Sequence, residues 1–464
     1  MAQNWYDGEL SDAVNPFPAL RLNPTETAAE EESGDLLFVG DFYAGTGVPP
    51  RGLRTIHREL ASRIRSASFS VANFESAIER HGRPQRKDGP HIASGTAALA
   101  LLRAVGFDAV LLANNHIMDF GVEAMLATVR EIQACGLAFG GIDAPPDYPP
   151  APITTISPGG QRVSIFSFCE YEFGTNATGA PGSCWLGPQA EPQIFEAKRR
   201  GDVVIVNSHG GNELVPLPSL QRRAQLRRLV EVGADLVIGH HTHVPQGWER
   251  WRHGFIFYSL GDFYFQSLGG PRDFKRQWSF MVRASLEGHR ISRIDVIPFE
   301  RVHDEIVPMG AVRDVDSHLA YLQRLSAVIA SDEFPACWQQ LAVDLMLERY
   351  LPFFRSLLPH LKPPGASFRA WLKGAVRSSL NSLDYLGSGR FSETRNPELA
   401  LLNMVCCESH RWAVETALSV LSGETPDLRT PQTQREIAEI QCFQNTGKWP
   451  DAKSPRPDEL PQCP

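Results

Sequence analysis

The sequence predicts a layered α/β domain followed by an all-helical segment, and three observations carry that reading. Short apolar runs alternate with helical periods from Asp35 to about Phe299. The runs are apolar throughout, as in strands buried on both faces. Strand signals then vanish after about Pro308. In order, the runs are LLFVG (36–40), FSVAN (69–73), DAVLLA (108–113), VVIVN (203–207) and DLVIG (235–239). Helical periods fill the gaps, for example Gly121 to Cys135 and Ser219 to Val232. FIFYSL (255–260) and the stretches 278–287 and 291–298 read as adjoining antiparallel strands. Residues 1–34 are polar, end in Glu30, Glu31 and Glu32, and are expected to be a poorly packed lead-in. The α/β domain is expected over 35–307 and the helical one over 308–447, as a second domain or a wrap on the first. Its helices are Val315–Ala330, Cys337–Leu358 and Pro397–Leu421; a Pro-rich tail, 448–464, is expected to be disordered.

Composition bounds the function. A chain of 464 residues that is 42% hydrophobic and 21% charged is an ordinary globular protein of two or three domains. A net charge of -8 argues against a general nucleic-acid binder and leaves room for one basic pocket. The most apolar long stretch, Thr96 to Ala113, contains Arg103 and Asp108, so it reads as a helix entering a buried strand, not a membrane span. The first residues, MAQNWYDGEL, lack the basic and apolar regions of a signal peptide. Eight cysteines with no CxxC pair read as reduced thiols, and a cytoplasmic location without membrane insertion is expected.

The placement of polar residues points to chemistry. LLFVG ends in Asp41, FSVAN in Glu75, and DAVLLA in Asn114, Asn115 and His116. VVIVN leads to His209, and DLVIG to His240, His241 and His243. Ligands of open α/β sheets bind at the carboxyl ends of strands, so these groups can converge although they are distant in sequence. Taken singly, Asp41 would cap a helix, Asn115 would hold a turn and His209 would lie in an exposed loop. Jointly, carboxylate, carboxamide and imidazole donors suit two divalent ions such as Mn, Fe or Zn. Two ions sharing a carboxylate would activate a water and polarise a scissile group.

These motifs resemble the capsule-synthesis CapA family of the calcineurin-like metallophosphoesterase superfamily. The matching segments are VGDFYAG (39–45), VANFES (71–76), GFDAVLLANNHIMDFG (106–121), VVIVNSHGGNE (203–213), GADLVIGHHTHVPQG (233–247) and FYSLGDFYF (257–265). MVCCESHR (404–411) is similar to the C-terminal segment of longer members. The resemblance implies a four-layer α/β/β/α sandwich. It implies Asp41 and His243 on a first metal, Glu75 as the bridge, and Asn115, His209 and His241 on a second. It also makes His116 the group that stabilises or protonates the leaving group, with Asp119 orienting its ring. Two departures stand out: Tyr43 occupies a position where the superfamily usually has histidine, and Glu75 replaces the more common aspartate. Asp262, where many relatives have asparagine, can add a carboxylate.

The resemblance implies a metal-dependent hydrolase of a phosphoester or a γ-glutamyl or other amide bond in a soluble, anionic substrate. Amide formation at the same centre and a non-catalytic accessory role in capsule biosynthesis are the alternatives. Glu213 and Arg411, with Arg390 behind them, are expected to recognise the anionic substrate, because guanidinium grips carboxylate or phosphate in bidentate fashion.

Overall fold

The computed structural model describes residues 18–24, 34–47, 52–78, 82–266, 277–357 and 397–450. Two sheets dominate. The first has nine strands among the described residues. Its central path joins β1 (Ala19–Leu22), β2 (Gly34–Tyr43), β3 (Phe69–Phe74), β4 (Ala109–Leu111) and β5 (Ala138–Gly140) to strands from later in the chain. The second contains β6 (Ile153–Ile156), β7 (Arg162–Cys169), β8 (Val203–His209), β9 (Leu236–His240), β10 (Trp248–Trp251) and β11 (Gly254–Phe257). The chain then returns to the first sheet as β12 (Asp262–Phe265), β13 (Trp278–Glu287), β14 (Arg290–Val302) and β15 (Glu305–Pro308).

The first sheet runs β1-β14-β13-β2-β3-β4-β5, with β12 beside the end of β2 and β15 beside β14. The second runs β10-β11-β9-β8-β7-β6. β2, β3, β4 and β5 are mutually parallel, as are β7, β8, β9 and β11. Each sheet therefore presents several strand carboxyl ends along one edge, where a site can be assembled.

Side-chain alternation shows how the layers are used. Leu36 and Phe38 of β2 join a core shared with Ile205, Val237 and the helices α4 (Ala190–Arg199) and α5 (Leu220–Val232). Leu37 and Val39 join a second core with α1 (Arg58–Ser66), α2 (Thr96–Val105) and α3 (Gly121–Ala134). The period of two sends alternate residues to opposite faces, so a strand apolar throughout is buried on both sides.

Two elements depart from expectation. The lead-in is ordered at Ala19–Leu22, which pairs parallel with β14, and Arg21 binds Asp295 at 2.7 Å. Its leucines find an edge strand to pair with, which local polarity hides. Strand β7, RVSIFSFC, is a central strand that the apolar-run criterion passes over because serines interrupt it. Ser164 is nevertheless buried, donating to Asp202 at 2.7 Å.

After β15 the described chain is helical: α6 (Val315–Ala330), α7 (Phe334–Leu345), a π-helical turn (Met346–Tyr350), α8 (Leu351–Leu357), α9 (Pro397–Cys406), α10 (Glu408–Ser422) and α11 (Pro431–Thr446). Tyr321, Leu325, Trp338 and Phe443 are buried in the same core as the second sheet. Trp449 also packs there, its ring 4.6 Å from that of Phe443; the rest of the expected tail, from 451, and Arg390 lie outside the described residues. No helix among the described residues is long and apolar enough to cross a membrane, and the described cysteines are free.

Candidate metal centre

Two glycines bring the strand ends together. A Cβ on Gly40 would lie 1.8 Å from the Gly261 carbonyl oxygen, and one on Gly239 would lie 1.8 Å from that of Tyr258. No larger residue fits either backbone approach. Gly40 delivers Asp41 at the end of β2; Gly239 delivers His240 and the loop carrying His241 and His243. Those two histidines have φ of 87° and 59°, a left-handed conformation that non-glycine residues seldom adopt. The His241 N–H donates to Asp41 Oδ2 at 3.0 Å, tying the strained loop to the other sheet. Such strain persists only where surroundings over-determine it, and it clusters at functional sites.

The expected donors converge. His241 Nδ1 lies 3.1 Å from His209 Nε2, and His209 Nε2 lies 3.0 Å from Asn115 Oδ1. Glu75 Oε1 stands 3.6 Å from His209 Nε2 and 3.9 Å from His243 Nε2. His243 Nδ1 is 2.8 Å from Asp262 Oδ1 and 3.7 Å from Asp41 Oδ2. Among the described residues these atoms form two potential ion-binding sets, Glu75-His209-His241 and Asp41-His243-Asp262. Glu75 faces both.

Electrostatics suit cation binding. Burial, followed by the charge of neighbouring imidazoles, holds His209 well below the ordinary histidine value. Burial also lowers His241, to about 4, against the pull of Glu213. Neutral imidazoles leave ring lone pairs to offer a metal. Burial would raise Asp41, but the hydrogen bond and charge of His240, then His209 and His243, keep it ionised. The sets contain carboxylate and imidazole and no thiolate, which fits hard-to-borderline divalent ions. Tyr43, in place of the usual histidine, is buried with its ring 5.0 Å from that of Phe265. The Asp262 carboxylate supplies the third donor of that set instead.

His116 Nδ1 lies 2.8 Å from Asp119 Oδ2 and 3.2 Å from Lys87 Nζ, while its Nε2 is 3.9 Å from Glu75 Oε1. Burial and the Lys87 charge lower the imidazole's proton affinity; Asp119 opposes them. Lys87 also forms an ion pair with Asp119 and donates to the Asn115 carbonyl at 3.3 Å. Sequence reasoning missed Lys87, which sits in the irregular run HGRPQRKDGPH (81–91) with no periodic signal.

It also missed Glu170 and Glu172, which follow the overlooked strand β7. With His241 they form a third set of potential ion ligands. Burial pushes Glu170 up to about 7, and burial with Glu170's charge pushes Glu172 up to about 8. Ser409 of α10 donates to Glu170, and the Tyr171 N–H donates to Glu408 Oε2 at 3.1 Å. The helical segment thus meets the second sheet beside the centre.

Of the two expected recognition residues, Glu213 lies in the loop that carries His209, and Arg411 lies on α10. Partial burial would raise the Glu213 carboxyl, but Arg349, then His241, His243 and His410, lower it. Arg411 is exposed. The buried contact from α10 is Ser409, and two residues along a helix turn roughly 200° away. The guanidinium near Glu213 is that of Arg349, 3.9 Å from Glu213 Oε2.

Known proteins resemble this chain. The sequence pattern of the family described as bacterial capsule synthesis protein PGA_cap matches residues 33–267. The capsule biosynthesis protein CapA of Bacillus anthracis is 29% identical over 323 residues, 65% of this chain and 77% of that one. The PGA biosynthesis protein CapA of Bacillus subtilis is 28% identical over 286 residues, 60% of this chain and 73% of that one. A probable polyglutamine synthesis accessory protein of Mycobacterium tuberculosis is 29% identical over 184 residues, 36% and 48% of the two chains. Among solved structures, TT1561 of Thermus thermophilus aligns with 57% of this chain and 98% of its own at 10% identity, with a TM-score of 0.32.

Proposed function

The chain belongs to the PGA_cap family of bacterial capsule synthesis proteins, and on that premise we propose that it is a metal-dependent hydrolase. Its bond is a phosphoester or a γ-glutamyl or other amide in a soluble, anionic substrate. The observation that carries this reading is the convergence of buried donors from both sheets on Glu75, whose Oε1 lies within 3.9 Å of ring nitrogens of His116, His209 and His243. Asp41, His243 and Asp262 would hold one divalent ion, and Asn115, His209 and His241 another, with Glu75 between them. Bound ions of this kind supply Lewis acidity toward the scissile group and lower the pKa of water.

The chain's own residues supply the rest. Asp119 accepts from Nδ1 of His116 at 2.8 Å, which turns Nε2 toward the centre as the position from which the protonated ring passes a proton to the leaving group. Lys87, with a side chain only 5% exposed, pairs with Asp119 and keeps that carboxylate ionised beside the ring. Surrounding apolar burial strengthens both effects by excluding water.

Metal analysis of the purified protein, with a screen of phosphodiesters and γ-glutamyl amides, tests the proposal. Two equivalents of Mn, Fe or Zn and metal-dependent turnover are expected; a metal-free, inactive protein that cannot be loaded would end it. The second reading is a non-catalytic accessory role, favoured by Tyr43 and by the name of the mycobacterial relative. It predicts bound metal without turnover of any probe.

A further inference from the structure

The geometry points to Arg349 as the residue that holds a substrate carboxylate lying outside the scissile bond, with Glu213 occupying that place in the free protein. This rests on the hydrolase reading of the adjoining centre. Arg349 lies on the π-helical turn Met346–Tyr350, where one extra residue per turn interrupts the helical segment. Such turns are rare and often occur at functional sites.

The turn is pinned against the metal-centre loop. Tyr350, 1% exposed, accepts through Oη from Asn212 Nδ2 at 3.3 Å, and its hydroxyl lies 3.0 Å from His410 Nδ1. Asn212 also donates to the Ser409 carbonyl at 3.1 Å. Asn212 and Glu213 follow His209 closely in the same loop, so anchoring Tyr350 sets the adjacent Arg349 at the rim of the donor cluster. The Glu213 carboxylate lies 3.9 Å from the Arg349 guanidinium, in the loop that carries His209.

The Arg349–Glu213 contact is built to exchange. Its N–O distance of 3.9 Å is at the outer limit of an ion pair, and the two side chains are 37% and 41% exposed. Exposed pairs of that kind contribute little. A substrate carboxylate approaching in bidentate fashion would make shorter, charge-assisted bonds to the same guanidinium. Glu170, Glu172 and Glu408 lie close to the same loop, so an anionic substrate entering there needs a cation such as Arg349 to meet it.

Calorimetric titration of the metal-loaded full chain with γ-glutamylglutamate and with its neutral carboxamide analogue tests the assignment. Arg349→Ala is expected to weaken binding of the carboxylate probe about ten- to a hundredfold, leaving the neutral probe and the metal content as in wild type. Arg349→Lys should restore part of the loss. Glu213→Gln, which removes the internal competitor, should tighten the carboxylate probe, a gain that misfolding cannot produce. Equal weakening of both probes by Arg349→Ala, no effect on either, or a wild-type protein that binds neither would overturn the assignment. Hydrolysis by wild type, measured alongside, tests the other reading separately: a protein that discriminates the probes but cleaves neither keeps this site and loses the hydrolase.

Discussion

His209 and His241 place ring nitrogens 3.1 Å apart in a buried pocket, where two imidazolium charges would repel by about 4 kcal/mol or more at the effective dielectric of a protein site. The pair is therefore held neutral, and a cation between or beside the rings is the natural partner of their lone pairs. Replacing His241 or Asn115 with Ala should remove metal from the Glu75 set and abolish turnover while far-UV circular dichroism stays native. His116→Ala should keep the metal and lower kcat by about 10²–10⁴, since its role lies in proton transfer. Equal metal loss in all three variants would make His116 a ligand and discard the role given to it. At this scale the sequence was informative wherever a polar group followed an apolar run: Asp41, Glu75, Asn115, His209, His241 and His243 all do. It was silent on Lys87, which meets His116 and Asp119 from an irregular loop, and on Arg349, which meets Glu213 from a helical turn. Neither position carries a local pattern that distinguishes it from a solvated cation.

At the scale of elements, the close approaches at Gly40 and Gly239 explain why VGD and IGH precede site residues: the backbone must pass within contact of a neighbouring carbonyl. Strand β7 was hidden by its serines, and Glu170 and Glu172 were hidden with it. A continuous-apolar criterion fails when buried hydroxyls find partners, as Ser164 does on Asp202. Helix α7 carries a titrating group away from the centre. Asp344, half-buried and bonded to Gln340 Nε2 at 2.7 Å, is pushed up by burial, and then by Glu348, from the ordinary 3.8 to about 6. Its folded-state affinity for a proton exceeds the unfolded one, so its contribution favours the fold below about 4 and is lost as pH rises through about 6. Asp344→Asn should therefore raise Tm at neutral pH and flatten the pH dependence of Tm across that window. An unchanged profile would place the carboxylate in ordinary solvent.

At the scale of the whole molecule, the helical segment and the second sheet share one apolar core through Tyr321, Leu325, Trp338 and Phe443. Ion pairs reinforce the helices among themselves, with Arg324 2.7 Å from both Glu436 and Glu439. Removing everything after residue 312 would expose the apolar surface these residues cover on β10 and α5. Large exposed patches drive association, so the truncated chain is expected to be insoluble or to bind a hydrophobic dye strongly. A monomeric, cooperatively unfolding product would show that the α/β part needs no cover.

The sequence by itself determined the α/β class, the helical C-terminal region and the polar residues that follow the strands. Burial on both faces and attachment of ligands to strand termini are written in local order, as runs of apolar residues and the polar residue after each. Tertiary structure alone decided that Lys87 meets His116 and Asp119, that Asp262 stands beside His243, that Glu170 and Glu172 close in from β7, and that Ala19–Leu22 completes a sheet edge. Those outcomes depend on the relative placement of segments far apart in the chain. Helix register is one such case: Ser409 faces Glu170, while Arg411, roughly 200° further round, faces solvent.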